Sequence, residues 1–191
     1  LGLLADNGPD WLAADLAAER AHIPLVPLPT FFTPAQLQHA ADASGMDALL
    51  TDAPAAARAL GFDANGKSGI YRRDAAAVAL AEGTTKISFT SGTTGTPKGV
   101  CLGAAQQRAL ARALEQATRP LGLERHLCLL PLPVLLENVA GARTAFFAGA
   151  ECVVPPLAEV GVRGATQFDP LACLVAIERR RAHSVILLPQ M

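Results

Sequence analysis

The chain has 191 residues, of which 51% are hydrophobic and 17% are charged, and its formal net charge at pH 7 is −1. This length is enough for one domain or for a large part of a bigger one. The near-neutral charge argues against an electrostatic nucleic-acid interface, and no apolar run approaches the roughly 18 residues that a membrane-spanning helix needs. Because Asp6 and Pro9 interrupt the first apolar run, we expect no secretory leader and a cytoplasmic protein, whose oligomeric state the composition leaves open.

Short apolar runs alternate with longer segments of helical periodicity, and this alternation predicts an α/β fold. The first predicted elements are a strand at 1–6, a helix at 9–20, an extended or edge segment at 24–29, a helix at 33–45, a strand at 48–52 and a helix at 54–60. Residues 62–83 carry turn signals without a firm period, so we expect a surface connection there. The later predicted elements are strands at 86–89 and 100–102, a helix at 104–117, a strand at 126–132, a helix at 134–148, a strand at 151–156, a helix at 169–181 and a buried strand at 184–189.

The helix predicted at 33–45 has the clearest end signals. Thr33 can cap the N-terminus, Pro34 suits the first turn and Gln36 completes a capping box. Gly45 suits the left-handed conformation that follows many helix C-termini. These signals fix both ends of the helix from local sequence alone.

The string FTSGTTGTPKGV, residues 89–100, joins two predicted strands. Glycines let a backbone turn and approach a ligand closely, and consecutive exposed amides form an anion-binding nest. Hydroxyl groups and a lysine add donors and a positive charge, which together suit a polyphosphate. The candidate phosphate-binding residues are Thr90, Ser91, Gly92, Thr93, Thr94, Gly95, Thr96, Pro97 and Lys98.

This string is not a Walker A loop. When the GxxxxGK[ST] pattern is counted from Gly92, Pro97 stands at the second glycine and Gly99 stands at the Ser or Thr. The segment that leaves the loop is a predicted strand, so no helix N-terminus would face the phosphates. The alternative is a surface linker that binds no ligand, and the position of the string between two predicted buried strands argues against it.

The string FTSGTTGTPKGV resembles, nearly letter for letter, the phosphate loop of adenylate-forming enzymes, which include acyl-CoA synthetases, nonribosomal adenylation domains and luciferases. The strings LADNGPDWLAADLAAERAHIPLVPLPT and LLPLPVLLENVAG resemble segments that flank that loop in the family. The resemblance covers essentially the whole chain. It implies that residues 1–191 are a layered α/β part of the family's large N-terminal domain, with the C-terminal part and the lid domain absent.

The resemblance also implies an activity. Members of the family use ATP and Mg²⁺ to join a carboxylic acid to AMP, and they then pass the acyl group to a thiol such as coenzyme A. By similarity, the loop would hold the β- and γ-phosphates, Lys98 would offset charge on the leaving pyrophosphate, and Thr90 would lie on the magnesium side. The strings PLPTFFTPAQ and ENV resemble fatty acyl-CoA synthetases, so we expect a fatty or similarly apolar acid.

Two alternatives to a fatty acyl-CoA synthetase remain open. One is an adenylation domain that serves a carrier protein, and the other is a non-catalytic module that binds a nucleotide or a protein partner. No string like YGxTE or TGD occurs in the chain, so the family's adenine-binding segment, magnesium-binding glutamate and catalytic lysine are not matched. We therefore expect residues 1–191 to bind ATP weakly and to form no adenylate alone.

The sequence departs from the family pattern after the loop. Many relatives carry a histidine or an aromatic residue as a gate between the nucleotide and the acid, and Val134 stands at that position. A valine can neither donate a hydrogen bond nor stack. Glu137 is retained as in the long-chain fatty acyl group, either as a substrate-gate residue or, as we favour, as a polar position on a helix face.

Three other residue types receive structural assignments. The cysteines form no CxxC pattern and are more than 20 residues apart, so we expect small buried side chains rather than a zinc or redox site: Cys101, Cys128, Cys152 and Cys173. The histidines show no ligand spacing and are expected to be structural or exposed: His22, His39, His126 and His183. The early aspartates fit helix-dipole and solvent roles: Asp6, Asp10 and Asp15.

Overall fold

The computed structural model describes residues 1–65, 69–90, 97–164, 167–189 and 191, and it has the predicted α/β class. The chain forms two compact units. The first unit comprises Leu1–Ala5 and Ala13–Ala104, and the second comprises Asp6–Leu12 and Ala105–Met191. Among the described residues, no helix has the length and apolar character needed to cross a membrane.

The helices confirm most of the predicted ones. The α-helices are α1 (Pro9–Arg20), α2 (Pro34–Ala43), α3 (Pro54–Ala59), α4 (Ala104–Thr118), α5 (Thr144–Phe147) and α6 (Pro170–Arg180). Short 3₁₀ turns span Arg119–Leu121 and Leu157–Val160. A single apolar helix predicted at 134–148 is wrong in detail, because a π-helix spans Leu136–Arg143 before α5. Its wider turns, with hydrogen bonds from residue i to i+5, are not visible in an apolar pattern.

The end signals of α2 are confirmed. The Thr33 hydroxyl accepts a hydrogen bond from the Gln36 amide at 3.3 Å, and the Gln36 side chain accepts one from the Thr33 amide at 2.9 Å. Gly45 follows the helix with φ of 60°. Asp169 caps α6 in the same manner, since its carboxylate accepts hydrogen bonds from two amides of the first turn.

Five strands of the first unit form one sheet in the order β2-β1-β3-β5-β4. The strands are β1 (Gly2–Leu4), β2 (Val26–Pro27), β3 (Ala48–Thr51), β4 (Asp63–Ala64) and β5 (Ile70–Arg72). β1 pairs in parallel with β2 and β3, while β5 runs antiparallel to β3 and β4. β4 and β5 lie in the segment predicted to be a surface connection. That prediction is wrong there, because pairing with β3 organises strands too short to show a period.

A hairpin follows in the same unit. It consists of β6 (Thr84–Thr90) and β7 (Lys98–Gly103), which pair antiparallel. Leu25, next to β2, forms a parallel bridge with Lys86 of β6. The core of the first unit includes Leu28, Leu49 and Phe62, each with no exposed surface. This core supports the hairpin from which the glycine-rich string extends.

The second unit contains two strand pairs. β8 (Arg125–Leu127) and β9 (Glu151–Val153) are parallel, and β10 (Val162–Arg163) and β11 (Gln167–Phe168) are antiparallel. The buried strand predicted at 184–189 is wrong. Only Ser184 bridges to β8, and Leu187 is 54% exposed. Within the described ranges, no element pairs with the segment that follows Ser184, so its apolar residues do not join a sheet.

Candidate functional site

The glycine-rich string is anchored by the last rungs of the β6–β7 hairpin. Thr90 and Lys98 are directly paired across the two strands, and Phe89 pairs with Gly99 one rung below. The predicted ligands between them, residues 91–96, lie outside the described residues. The structure therefore brings Thr90 and Lys98 together at the base of the loop, although seven residues separate them in the sequence.

Lys98 carries its charge at the protein surface. Its side chain is exposed, as is that of Thr90, and within the described ranges no carboxylate forms an ion pair with Lys98. An uncompensated ammonium beside a hydroxyl is suited to an anionic ligand. Both positions are thus accessible to a ligand, and their role in phosphate binding stays a prediction.

Gly99 is tightly packed under the loop. A Cβ added there would lie 3.0 Å from Cζ of Phe89 and 3.1 Å from Cγ2 of Ile87. Both side chains belong to the buried core, so a larger residue would require Phe89 and Ile87 to shift by a few tenths of an ångström. The glycine lets these side chains pack directly below Thr90 and Lys98.

His39 of α2 contacts the exit of the loop. Its Nε2 lies 2.9 Å from the Pro97 carbonyl oxygen, and its ring meets the Phe89 ring edge-on at 6.3 Å. An apolar cleft of about 440 Å³ opens beside these groups and extends to Val78 and Lys98. The sequence assigned His39 no specific role, and the spacing of the residues gave no signal for this contact.

A buried ion pair lies on the strand that leads into the loop. Lys86 of β6 and Asp15 of α1 are both 2% exposed, and Nζ of Lys86 lies 2.8 Å from Oδ1 and 3.0 Å from Oδ2 of Asp15. The predicted solvent role of Asp15 is therefore wrong. Asp6 and Asp10 are exposed as expected. Asp15 differs because it lies on the inner face of α1, where a buried carboxylate needs a partner such as the Lys86 ammonium.

The two gate candidates behave differently. Val134 is half-buried, and its backbone amide donates a hydrogen bond to the Pro131 carbonyl. Glu137 has no exposed surface, so the polar position on the helix face that we favour is a buried one, and the alternative role as a substrate-gate residue stays a prediction. The π-helix turns this carboxylate toward β8 instead of toward water.

Glu137 is held by three donors. Its Oε2 accepts hydrogen bonds from the backbone amides of Leu129 at 3.1 Å and Leu130 at 2.8 Å, while Oε1 lies 2.8 Å from Nε2 of His126. The other ring nitrogen of His126 lies 3.0 Å from the Ser184 hydroxyl. The result is a continuous buried polar chain from the π-helix to the residue that bridges β8.

Two of the cysteines lie next to this buried polar chain. Sγ of Cys128 and Sγ of Cys152 are 3.7 Å apart. The hydrogen bond with Cys152, burial, and the charge of Glu137 raise the pKa of the Cys128 thiol well above its usual range. Cys128 and Cys173 are buried as predicted, but Cys152 is half-buried and Cys101 is exposed. Cys101 departs from the prediction because, among the strands that the structure describes, β7 pairs with β6 alone and most of its residues are exposed.

Gly141 leaves room for the buried polar chain. A Cβ at this position of the π-helix would overlap Oε1 of Glu137 and would lie 2.6 Å from Nε2 of His126. Glycine is therefore needed at this point so that the carboxylate and the imidazole can meet. Nothing in the local sequence distinguishes Gly141 from an ordinary helix glycine.

Comparisons with known proteins agree with the family that the loop sequence indicates. The sequence profile described as AMP-binding enzyme matches residues 1–191, whereas no curated protein matches the chain. O-succinylbenzoate coenzyme A synthetase (MenE) from Bacillus subtilis, in complex with ATP and magnesium ion, is 19% identical with a TM-score of 0.64, over 96% of this chain and 48% of that chain. This chain therefore spans about half the length of MenE.

Two further solved structures are similar in fold. Mycobacterium smegmatis MbtA is 19% identical with a TM-score of 0.72, over 98% of this chain and 38% of that chain. The anthranilate CoA ligase AuaEII, in complex with anthranoyl-AMP, is 18% identical with a TM-score of 0.66, over 83% of this chain and 35% of that chain. At these identities the likeness shows a shared fold.

Proposed function

The chain belongs to the AMP-binding enzyme family, and from this premise we propose that it supplies the phosphate-binding part of an enzyme that activates a carboxylic acid with ATP and transfers the acyl group to coenzyme A. The single observation that carries this proposal is the pairing of Thr90 with Lys98 at the base of the loop. The hairpin holds one hydroxyl and one ammonium on adjacent strands, both exposed.

Lys98 has the role of charge neutralisation. Attack of a carboxylate on the α-phosphorus expels pyrophosphate, and negative charge grows on that leaving group. A fixed cation near the β- and γ-phosphates stabilises this charge more than it stabilises the ground state, so it accelerates the reaction. The ladder pairing with Thr90 limits how far the Lys98 backbone can move from the phosphates.

Thr90 offers a neutral oxygen ligand beside that cation. Magnesium binds hard oxygen donors and retains several waters, and one hydroxyl next to a polyphosphate is compatible with that preference. When bound, Mg²⁺ would screen the charge of the phosphates. Residues 91–96 would add their amides and hydroxyls to the same phosphates.

The acid is proposed to be apolar, with a fatty acid as the first candidate on the sequence strings. The names of two similar structures instead concern aromatic acids, namely o-succinylbenzoate and anthranilate. A carrier protein is the alternative thiol donor to coenzyme A. A test of substrates must therefore include fatty and aromatic acids and both kinds of thiol.

The test is acid-dependent exchange of pyrophosphate with ATP, measured on the product of the complete open reading frame. We expect exchange with at least one apolar acid, and Lys98→Ala should lower its rate about 100-fold, as loss of one preorganised charge-stabilising donor does elsewhere. Arg58→Ala is the matched control, because Arg58 is an exposed cation of the same unit on α3. Equal rates for Lys98→Ala and Arg58→Ala would contradict the proposal.

A further inference from the structure

Three metal-binding donors, His126, Cys128 and Glu137, converge inside the second unit, and the Cys152 thiol lies next to that of Cys128. His126 of β8 is the register partner of Cys152 of β9. Cys128 continues the ladder, since its amide donates to the Val153 carbonyl at 3.0 Å. Alternate residues of a strand share a face, and so do paired residues of neighbouring strands. The imidazole and both thiols therefore lie on one face, which Glu137 approaches from the π-helix.

We propose that this cluster is a binding site for a zinc-like divalent cation, with Nε2 of His126, Sγ of Cys128, Sγ of Cys152 and Oε1 of Glu137 as its ligands. The site is separate from the proposed nucleotide chemistry, and its presence does not depend on that function. A closed set of four protein ligands is the arrangement of a structural zinc site rather than a catalytic one.

The sulfur–sulfur distance is that of a tetrahedral site, whereas Cys152 would have to move closer to His126 and Glu137. Bond lengths of zinc to sulfur, nitrogen and oxygen imply donor separations of roughly 3.3 to 3.8 Å. The two sulfur atoms are already 3.7 Å apart. The donor atoms of His126, Cys128 and Glu137 all lie within 4.8 Å of one another. The imidazole and carboxylate, at 2.8 Å, need only separate slightly to admit an ion.

Outer contacts already orient two of the ligands. The Ser184 hydroxyl lies against Nδ1 of His126, which directs Nε2 toward the cluster. The Leu129 and Leu130 amides hold Oε2 of Glu137, which leaves Oε1 as the inward oxygen. Metal-ligating histidines and carboxylates are held in this way by a second layer of hydrogen bonds.

The donor set selects the kind of cation. Thiolate and imidazole ligands favour zinc and related transition metals, whereas magnesium and calcium require oxygen ligands. A cavity of about 170 Å³ is lined by His126, Gly141 and Ser184, so it reaches the imidazole of the cluster.

The test is titration of the reduced, chelator-treated 191-residue chain with Zn²⁺ in competition with a chromophoric chelator. We expect one equivalent to bind, and Ser184→Ala should weaken binding about 10- to 100-fold, as loss of an outer contact does in known sites. Cys152→Ser should cause at least as large a loss. Cys101→Ser is the matched control and should leave the affinity unchanged, because Cys101 is exposed on β7.

Cobalt gives an independent readout of ligand identity. Co²⁺ bound to the chain should show thiolate-to-metal absorption, and this absorption should fall but persist in Cys152→Ser, which retains Cys128 as a ligand. Circular dichroism of each apo variant checks that it is folded. Failure of the folded wild-type chain to bind Zn²⁺, or binding by Cys152→Ser equal to that of wild type, would overturn the proposal. A disulfide between Cys128 and Cys152 in the untreated protein would also overturn it.

Discussion

The base of the loop and the Glu137 cluster use polar groups in opposite ways. Thr90 and Lys98 are exposed, so they keep their capacity to bind for an outside ligand. Glu137 is fully buried and His126 is 5% exposed, and their hydrogen bonds are made within the second unit. We infer that substitutions at the base of the loop change ligand binding and leave stability nearly intact, whereas substitutions in the cluster change stability first.

The largest effect is expected for Glu137→Ala. Removal of this carboxylate leaves the Leu129 and Leu130 amides and the His126 ring without their buried acceptor. Each unsatisfied buried donor costs about 1–3 kcal/mol, so the free energy of unfolding should fall by about 5 kcal/mol. Urea unfolding measures this loss. Glu178→Ala, at an exposed position of α6, is the control, and similar unfolding midpoints for both variants would refute the role assigned to Glu137.

Lys86→Met extends the comparison to the first unit. It leaves Asp15 as a buried carboxylate without its cation, and breaking a buried ion pair costs about 3–5 kcal/mol. The double variant Asp15→Leu/Lys86→Met should recover most of that loss, because it removes both charges. If the single and double variants unfold at the same urea concentration, the pair does not stabilise the fold as described.

The sequence predicted what is encoded in consecutive residues. The ends of α2 depend on Thr33, Gln36 and Gly45, all within one short segment. The glycine-rich string likewise contains its hydroxyls, glycines and lysine in one loop. These features were recognisable because a cap or an anion-binding loop needs particular residue types at fixed local spacing.

The buried polar groups could not be predicted in this way. Asp15 and Lys86 are separated by 71 positions, and His126 and Ser184 by 58. Only the sheet register brings His126 beside Cys152, and only the π-helix turns Glu137 inward. No local pattern encodes these contacts, so the sequence indicated ordinary exposed or core positions.

A smaller effect on stability is expected for Gly141→Ala. The added methyl group would collide with the carboxylate and the imidazole of the cluster, and overpacking of this kind costs about 1–3 kcal/mol. The next residue, Ala142, is also fully buried, but the structure already accommodates a Cβ there, in contrast to position 141. Thermal unfolding should therefore show a clear loss for Gly141→Ala. An unchanged transition would mean that Glu137 and His126 can separate freely.

The smallest effect on stability is expected for Lys98→Ala. Because the side chain is exposed and lacks an ion pair within the described ranges, its removal should not shift the urea midpoint. The same variant should lose much of its affinity for ATP. A large loss of stability would place Lys98 with the structural residues and would remove the contrast between the two regions.

The most direct measurement is an NMR titration of the 191-residue chain with ATP and, separately, with adenosine. The account predicts weak binding in which ATP shifts the amide resonances of Thr90, Lys98 and Gly99, whereas adenosine leaves them unmoved, because the loop contacts the phosphates. ATP shifts confined to other amides, or equal shifts with adenosine, would contradict the claim that this hairpin binds the polyphosphate.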